Sequence, residues 1–165
     1  MNKEQLFDQI AREHGAMIKR IAMAYEARPS AAEDLVQEIY FAIWRALPSF
    51  RGEASLRTFA ARIATNRAIT HVARAVKLPA SVELDEHIVA PGDDPERDAI
   101  ALDRRVKLAA AVRSLPLAYR QVAMLVLEGL THAEIADVLG ITANAVAIRL
   151  TRAKDLLRSI LGDTP

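Results

Sequence analysis

Residues 130–154, LTHAEIADVLGITANAVAIRLTRAK, decide how the rest of the chain is read. Thr131 and Glu134 stand at the spacing of a capping box, in which each side chain satisfies a backbone amide that the first helical turn leaves unpaired. Ile135, Ala136, Val138 and Leu139 give the short helix that follows one apolar face. Gly140 ends it, because glycine enters the left-handed backbone region without steric cost. Ile141 plugs the turn, and Thr142 can cap a second helix. On that helix Val146, Leu150, Ala153 and Leu157 recur at steps of four and three residues and point inward together. At about 100° per residue the opposite face carries Asn144, Ile148, Thr151 and Arg152, flanked by Arg149 and Lys154. Two helices joined by a tight glycine turn, the second offering polar and basic side chains, form a helix-turn-helix. An ordinary αα-hairpin is the plainer alternative. The capping box, turn glycine and inward repeat together favour DNA binding.

Composition extends this reading to the whole chain. The 165 residues fit one large or two small domains. Apolar residues make up 52%, enough for a core, and the scarcity of Gly and Pro beside abundant Ala and Leu favours an all-helical protein. The absence of cysteine excludes disulfides and cysteine-ligated zinc, and it suits a reducing compartment. Neither a leader nor an apolar run of roughly 18 residues is present, so a soluble, cytoplasmic chain is expected.

A net charge of +1 conceals an asymmetry. Residues 1–76 carry 11 basic and 8 acidic side chains, residues 77–100 carry 2 and 7, and residues 101–165 carry 9 and 6. Two mildly basic segments thus flank an acidic one. Pro79, Pro91, Gly92 and Pro95 fall in that middle stretch, which reads as a linker. The expected fold class is all-α: two small helical domains, 1–76 and 101–165, joined by a flexible acidic linker, 77–100. The second contains the helix-turn-helix.

In the first domain, residues 3 to about 25 read as a helix with Leu6, Ile10, Met17, Ile21 and Met23 or Ala24 as its stripe. Arg28-Pro29 breaks it. Ser30 and Glu33 have capping-box spacing, and a helix to about Leu47 follows, with Leu35, Val36, Ile39, Tyr40, Ile43 and Leu47 on one side. Its other side gathers Asp34, Gln37, Glu38, Phe41 and Arg45. A solvated face explains the charges but leaves the aromatic unexplained, and Phe41 among carboxylates suggests a surface for a partner protein. After a loop at 48–52, Ser55 can cap a helix to about Val76 through Leu56, Phe59, Ala60, Ile63, Ile69 and Val72. Arg57, Arg62, Asn66, Arg67 and Arg74 lie on its other positions. Solubility is the bland account; the sharper one is a nucleic-acid face, where arginines take phosphates and an asparagine can read a base edge. Helical periodicity resumes from Pro95 to Leu115, with Ile100, Val106, Leu108 and Val112 among its apolar positions. Pro116 then suits the first turn of a helix through Tyr119, Val122, Ala123, Leu125 and Val126.

Nothing in the sequence points to catalysis. The histidines, at 14, 71, 87 and 132, are scattered without metal-ligand spacing. Walker loop, dinucleotide fingerprint and nucleophile elbow are missing. Asp93-Asp94 sits in the linker with nothing to hold it. A non-enzymatic protein without cofactor or metal is expected.

The chain resembles the bacterial extracytoplasmic-function sigma factors over nearly its whole length. Ala32-Glu33-Asp34-Leu35-Val36-Gln37-Glu38 is similar to the family's most recognisable string. Phe50-Arg51-Gly52-Glu53-Ala54-Ser55, Thr58-Phe59 and Arg62-Ile63-Ala64-Thr65-Asn66-Arg67-Ala68 resemble its promoter-opening segment, and Leu115-Pro116, Tyr119-Arg120 and Glu128-Gly129-Leu130-Thr131 its approach to the helix-turn-helix. The resemblance implies a transcription initiation factor. Asp34, Gln37, Glu38 and Phe41 would bind the clamp coiled coil of the largest subunit of core RNA polymerase, and the second domain would meet the beta-subunit flap. Phe50, Arg51, Arg62, Asn66 and Arg67 would engage the minus-ten element, with Phe50 and Asn66 around an unstacked base. Asn144, Ile148, Thr151 and Arg152 would face the minus-thirty-five element, while Arg120, Arg149 and Lys154 take its phosphates. The acidic linker would thread toward the polymerase active site. An anti-sigma factor is an implied antagonist. Departures exist: Phe59-Ala60-Ala61 replaces an aromatic-rich string, Thr70 stands where an acid is customary, and Ala147 and Ile148 replace polar or basic residues, although Ile148 could contact a thymine methyl. The alternatives are a sigma-like decoy that binds an anti-sigma factor and a helix-turn-helix regulator acting without polymerase.

Overall fold

The computed structural model describes residues 2–77 and 95–162; most of the acidic stretch read as a linker lies outside them. Seven α-helices follow in order: α1 (Lys3–Tyr25), α2 (Pro29–Ala46), α3 (Leu56–Lys77), α4 (Pro95–Ser114), α5 (Leu117–Leu127), α6 (His132–Leu139) and α7 (Ala143–Leu161). Among the described residues there is no strand. The helices form an amino-terminal group, α1–α3, and a carboxyl-terminal group, α4–α7, as an all-α two-domain fold requires.

Local chemistry accounts for the helix starts. Asn2 and Gln5 cap α1 reciprocally, the Gln5 amide donating to Asn2 Oδ1 at 2.8 Å. The Thr58 amide donates to Ser55 Oγ at 3.1 Å at the start of α3. One expected start is corrected. The α2 helix begins at Pro29, with Arg28 as an N-cap whose side chain makes no capping bond. Proline's fixed φ and missing N–H suit the first helical position, so Ser30 is already inside the helix and Ser30–Glu33 forms no capping box.

The core of the first group joins Ile10, Met17, Ile18 and Ile21 to Leu35, Ile39 and Ile43. Ala24 is buried while Met23 is exposed, which fixes the end of the α1 stripe. In α3 the deepest positions are not the large apolar residues of its sequence stripe. Leu56, Phe59, Ile63, Ile69 and Val72 are half-buried, and the fully enclosed row is Ala60, Ala61, Ala64 and Ala68. A row of methyl groups lets α1 and α3 approach closely, as ridges and grooves at short interaxial distance require. A similar close approach brings α1 to α2: a Cβ on Gly15 would lie 2.9 Å from Tyr40 Oη. Phe7 packs edge-on against Tyr40 and Trp44, and Lys3 Nζ sits 4.1 Å from the centre of the Trp44 ring. This cluster fixes the rotation of α2 and hence the outer face it presents.

In the second group Val112, Leu115, Val122, Leu125, Ile135, Val138, Val146 and Ala153 are buried. Ile100 and Val106, two of the apolar positions in the α4 periodicity, are exposed. The periodicity identifies the helix but not how much of it finds a neighbour; from Ala99 to Lys107 only Leu102 is even half-buried. The helix-turn-helix forms as its residues dictate. The Glu134 amide donates to Thr131 Oγ1 at 3.2 Å, and the Thr131 amide to Glu134 Oε1 at 3.4 Å. Gly140 has φ 68°, and the Ala145 amide donates to Thr142 Oγ1 at 3.0 Å. Thr131→Ala is expected to cost about 1 kcal/mol. A chemical-denaturation midpoint equal to the parent's would show that the cap contributes nothing.

Candidate nucleic-acid interface

On α7 the side chains divide as the sequence predicts. Val146 and Ala153 are fully buried against the rest of the group, and Asn144, Ile148, Thr151, Arg152 and Lys154 are exposed. Arg149 is half-buried at the edge of a groove of about 490 Å³ that Pro116, Tyr119, Ala145, Ile148 and Arg152 also line. The result is a convex basic ridge with one apolar side chain, Ile148, in its middle. Such a ridge can enter a major groove, where arginine reads guanine and an aliphatic group meets the thymine methyl. Among the candidates on this side Arg120 is set apart. Its Nη2 donates to the Leu115 carbonyl at 3.1 Å and its guanidinium stacks 5.6 Å from the centre of the Tyr25 ring. Burial lowers its pKa below the ordinary arginine value, and the same enclosure pushes the Tyr25 phenol well above its own.

A second candidate surface lies on α3 and the loop before it. Asn66 and Arg67 line a depression of about 310 Å³ between α2 and α3, with Ala42, Ala46, Ile63 and Thr70. Phe50 does not line it but packs against Phe59 at a tilt of 56°, ring centres 4.9 Å apart, and Arg51 is exposed beside it. Arg62 reaches across to the second group, where its Nη2 donates to the Asp137 carbonyl at 3.1 Å. The structure thus brings Asn66 and Arg67 together and holds Phe50 and Arg62 elsewhere.

On α2 the face opposite the core presents Asp34, Gln37, Glu38 and Phe41, all exposed. Phe41 is 62% exposed, with the Arg45 guanidinium 5.7 Å from its ring centre. Interface hot spots are rich in aromatic and arginine side chains, and this face carries one of each.

Sequence reasoning passed over the contacts between the two groups. Arg20 grips Glu128 through two hydrogen bonds, Nη2 to Oε2 at 2.8 Å and Nε to Oε1. Arg57 Nη2 donates to Glu134 Oε2 at 3.0 Å, and Thr58 Oγ1 to the same oxygen at 3.3 Å. Burial works to raise the Glu134 pKa, but the hydrogen bonds from Arg57 and Thr131 outweigh it and hold the carboxyl below its ordinary range. Arg113 Nη1 donates to the Met23 carbonyl at 3.2 Å. No sequence signal pairs these residues, because surface arginines and glutamates separated by 77 or 108 positions look like solvated charges.

Comparison with known proteins follows the same division. Residues 10–77 match the family model for Sigma-70 region 2, and residues 105–157 match that for Sigma-70 region 4. The RNA polymerase sigma factor NccH of Alcaligenes xylosoxydans xylosoxydans is 30% identical over 164 residues, covering 94% of this chain and 86% of that protein. The ECF RNA polymerase sigma factor SigE of Mycolicibacterium smegmatis is 28% identical over 158 residues and 94% of this chain, which spans 61% of SigE. Among solved structures, the sigma factor RpoE of Bartonella quintana in complex with the anti-sigma factor NepR shares the fold, with a TM-score of 0.76 and 20% identity over 96% of this chain and 98% of that one. The two regions, in this order on this fold, define a sigma factor. The chain belongs to the extracytoplasmic-function RNA polymerase sigma factors, which are transcription initiation factors.

Proposed function

We propose that the chain binds core RNA polymerase through α2 and directs it to promoters with a basic surface on each domain. The outward row of α7 is the observation that carries this reading. Asn144, Ile148, Thr151 and Arg152 share the exposed side of α7, opposite the fully buried Val146 and Ala153 and the half-buried Leu150 and Leu157, and that division supports their use on DNA. They read the minus-thirty-five element, and Arg149 and Lys154 take flanking phosphates; Arg120 joins them once it leaves Tyr25. The depression holding Asn66 and Arg67 accepts an unstacked base of the minus-ten element, and Phe50, Arg51 and Arg62 engage the strand around it. Stacking is worth roughly 1–3 kcal/mol per base, which biases melting without ATP. Asp34, Gln37, Glu38 and Phe41 grip the clamp coiled coil of the largest polymerase subunit, and the second domain meets the beta-subunit flap. An anti-sigma protein is the expected antagonist, as the NepR complex is for a protein of the same fold.

Run-off transcription with the purified chain, core polymerase and fragmented genomic DNA tests the whole reading. Transcripts from a few defined starts are expected, and an absence of both transcripts and polymerase binding would overturn it. Arg152→Ala is expected to cost roughly 1–3 kcal/mol at one position of the upstream element. Equal loss on every sequence, measured by competition with single-base variants, would make Arg152 a phosphate contact instead.

A further inference from the structure

Ile148 is a large apolar side chain held 47% exposed in the middle of the outward row of α7. Core packing does not account for it, since among the described residues it belongs to neither buried cluster. Asn144, Ile148 and Arg152 follow at intervals of four residues, so they stand about one turn apart along a single stripe. The stripe offers an amide, an aliphatic group and a guanidinium, in that order. The other large exposed apolar residues of α7, Leu156, Ile160 and Leu161, lie beyond Lys154 in its last two turns. A recognition helix meets base edges with its amino-terminal part, which holds Ile148 and not those three.

Ile148 also lines the groove of about 490 Å³, whose far part is made by Pro116, Ala118 and Tyr119 at the start of α5. Ala145, three residues earlier on α7, adds only a methyl group, so the apolar surface continues from Ile148 into the groove. Arg149 and Arg152 line it too, and their charge suits a phosphodiester strand lying along it. What such a strand can bring to an aliphatic side chain is limited. Guanine, adenine and cytosine present only donors and acceptors in the major groove, and pressing these against Ile148 strips their water without a hydrogen bond in return. Thymine alone adds a methyl group.

We propose that Ile148 is a specificity-determining residue for the upstream promoter element, selecting thymine at one base pair through its 5-methyl group. The inference rests on the functional reading above and names the base that one position of that surface selects. Four residues along α7 span about 6 Å at 1.5 Å per residue, and successive bases of a strand lie about 3.4 Å apart. The selected thymine therefore lies within about two base pairs of the one that Arg152 reads. Withdrawing one methyl-sized group from water is worth about a fourfold change in affinity, which sets the size of the effect.

Deoxyuridine lacks the methyl group of thymine and keeps every hydrogen-bonding edge. The test titrates holoenzyme, formed from the full chain and core polymerase, with the strongest promoter found by run-off transcription. Each duplex carries one deoxyuridine in place of one thymine of the upstream element, on either strand. One of these is expected to bind about fourfold more weakly than the all-thymine duplex. With a cytosine–guanine pair at that position, 5-methylcytosine is expected to bind more tightly than cytosine by a similar factor. Ile148→Ser should bind the thymine and deoxyuridine duplexes equally, and Ile148→Val should again tell them apart, with circular dichroism as the control for folding. Equal binding of all the duplexes by the parent, or an upstream element without thymine, overturns the assignment and leaves the functional reading standing. Discrimination that survives in Ile148→Ser does the same. A uniform loss in Ile148→Ser without any methyl effect also overturns it, and gives Ile148 to a protein surface instead. Holoenzyme that prefers no promoter over unrelated duplex overturns the functional reading, and the thymine assignment with it.

Discussion

Glu38→Lys is expected to abolish association with core RNA polymerase while leaving the fold untouched. Glu38 is exposed in the middle of the face formed by Asp34, Gln37 and Phe41, and its carboxylate forms no ion pair among the described residues. Removing one partner of a charge pair buried at an interface costs about 2–5 kcal/mol, and setting like charges against each other costs several more. The affinity should therefore fall by at least about a hundredfold. A fluorescence-anisotropy titration with core polymerase reads the loss directly, and circular dichroism with a thermal melt provides the control. Parent-like affinity would remove α2 from the polymerase interface.

Its neighbour is expected to behave in the opposite way. Ile39 is fully buried in the core that joins α1, α2 and α3, so Ile39→Ala leaves a cavity there. The expected loss is about 2–5 kcal/mol of stability. At roughly 2–4 °C per kcal/mol, this lowers Tm by roughly 4–20 °C. Polymerase affinity, corrected for the folded fraction, should stay near the parent's. A melt unchanged by this substitution would mean that α2 is not seated as described. Adjacent residues thus separate binding from folding on a single helix.

How much could be read beforehand follows from the range of each signal. The capping box of Thr131 and Glu134, the turn at Gly140 and the inward repeat of α7 are written within a few residues of one another, and a local reading finds them. The start of α2 was open to misreading because two local rules competed: Ser30 has the spacing of a cap, but Pro29 already stands in the first helical position. In α3 periodicity marks the apolar face but not its deepest positions, where the helix contact selects the smallest residues. The exposure of Ile100 and Val106 depends on which neighbours α4 has, and its own sequence does not state that. The pairing of Arg57 with Glu134 depends on how two domains meet, and charge patterning along the chain carries no trace of it.

The alanine row of α3 has a bearing on how this protein can change over generations. Ala60, Ala61, Ala64 and Ala68 leave no space for a larger side chain, so mutations there are purged for stability before their effect on promoters is ever tested. Arg62, Asn66 and Arg67, on other sides of the same helix, are not enclosed in this way. Drift is thereby channelled to the residues proposed to meet DNA, on an axis that does not move. A lineage can retarget its regulon by single substitutions without first acquiring a compensating change in the core.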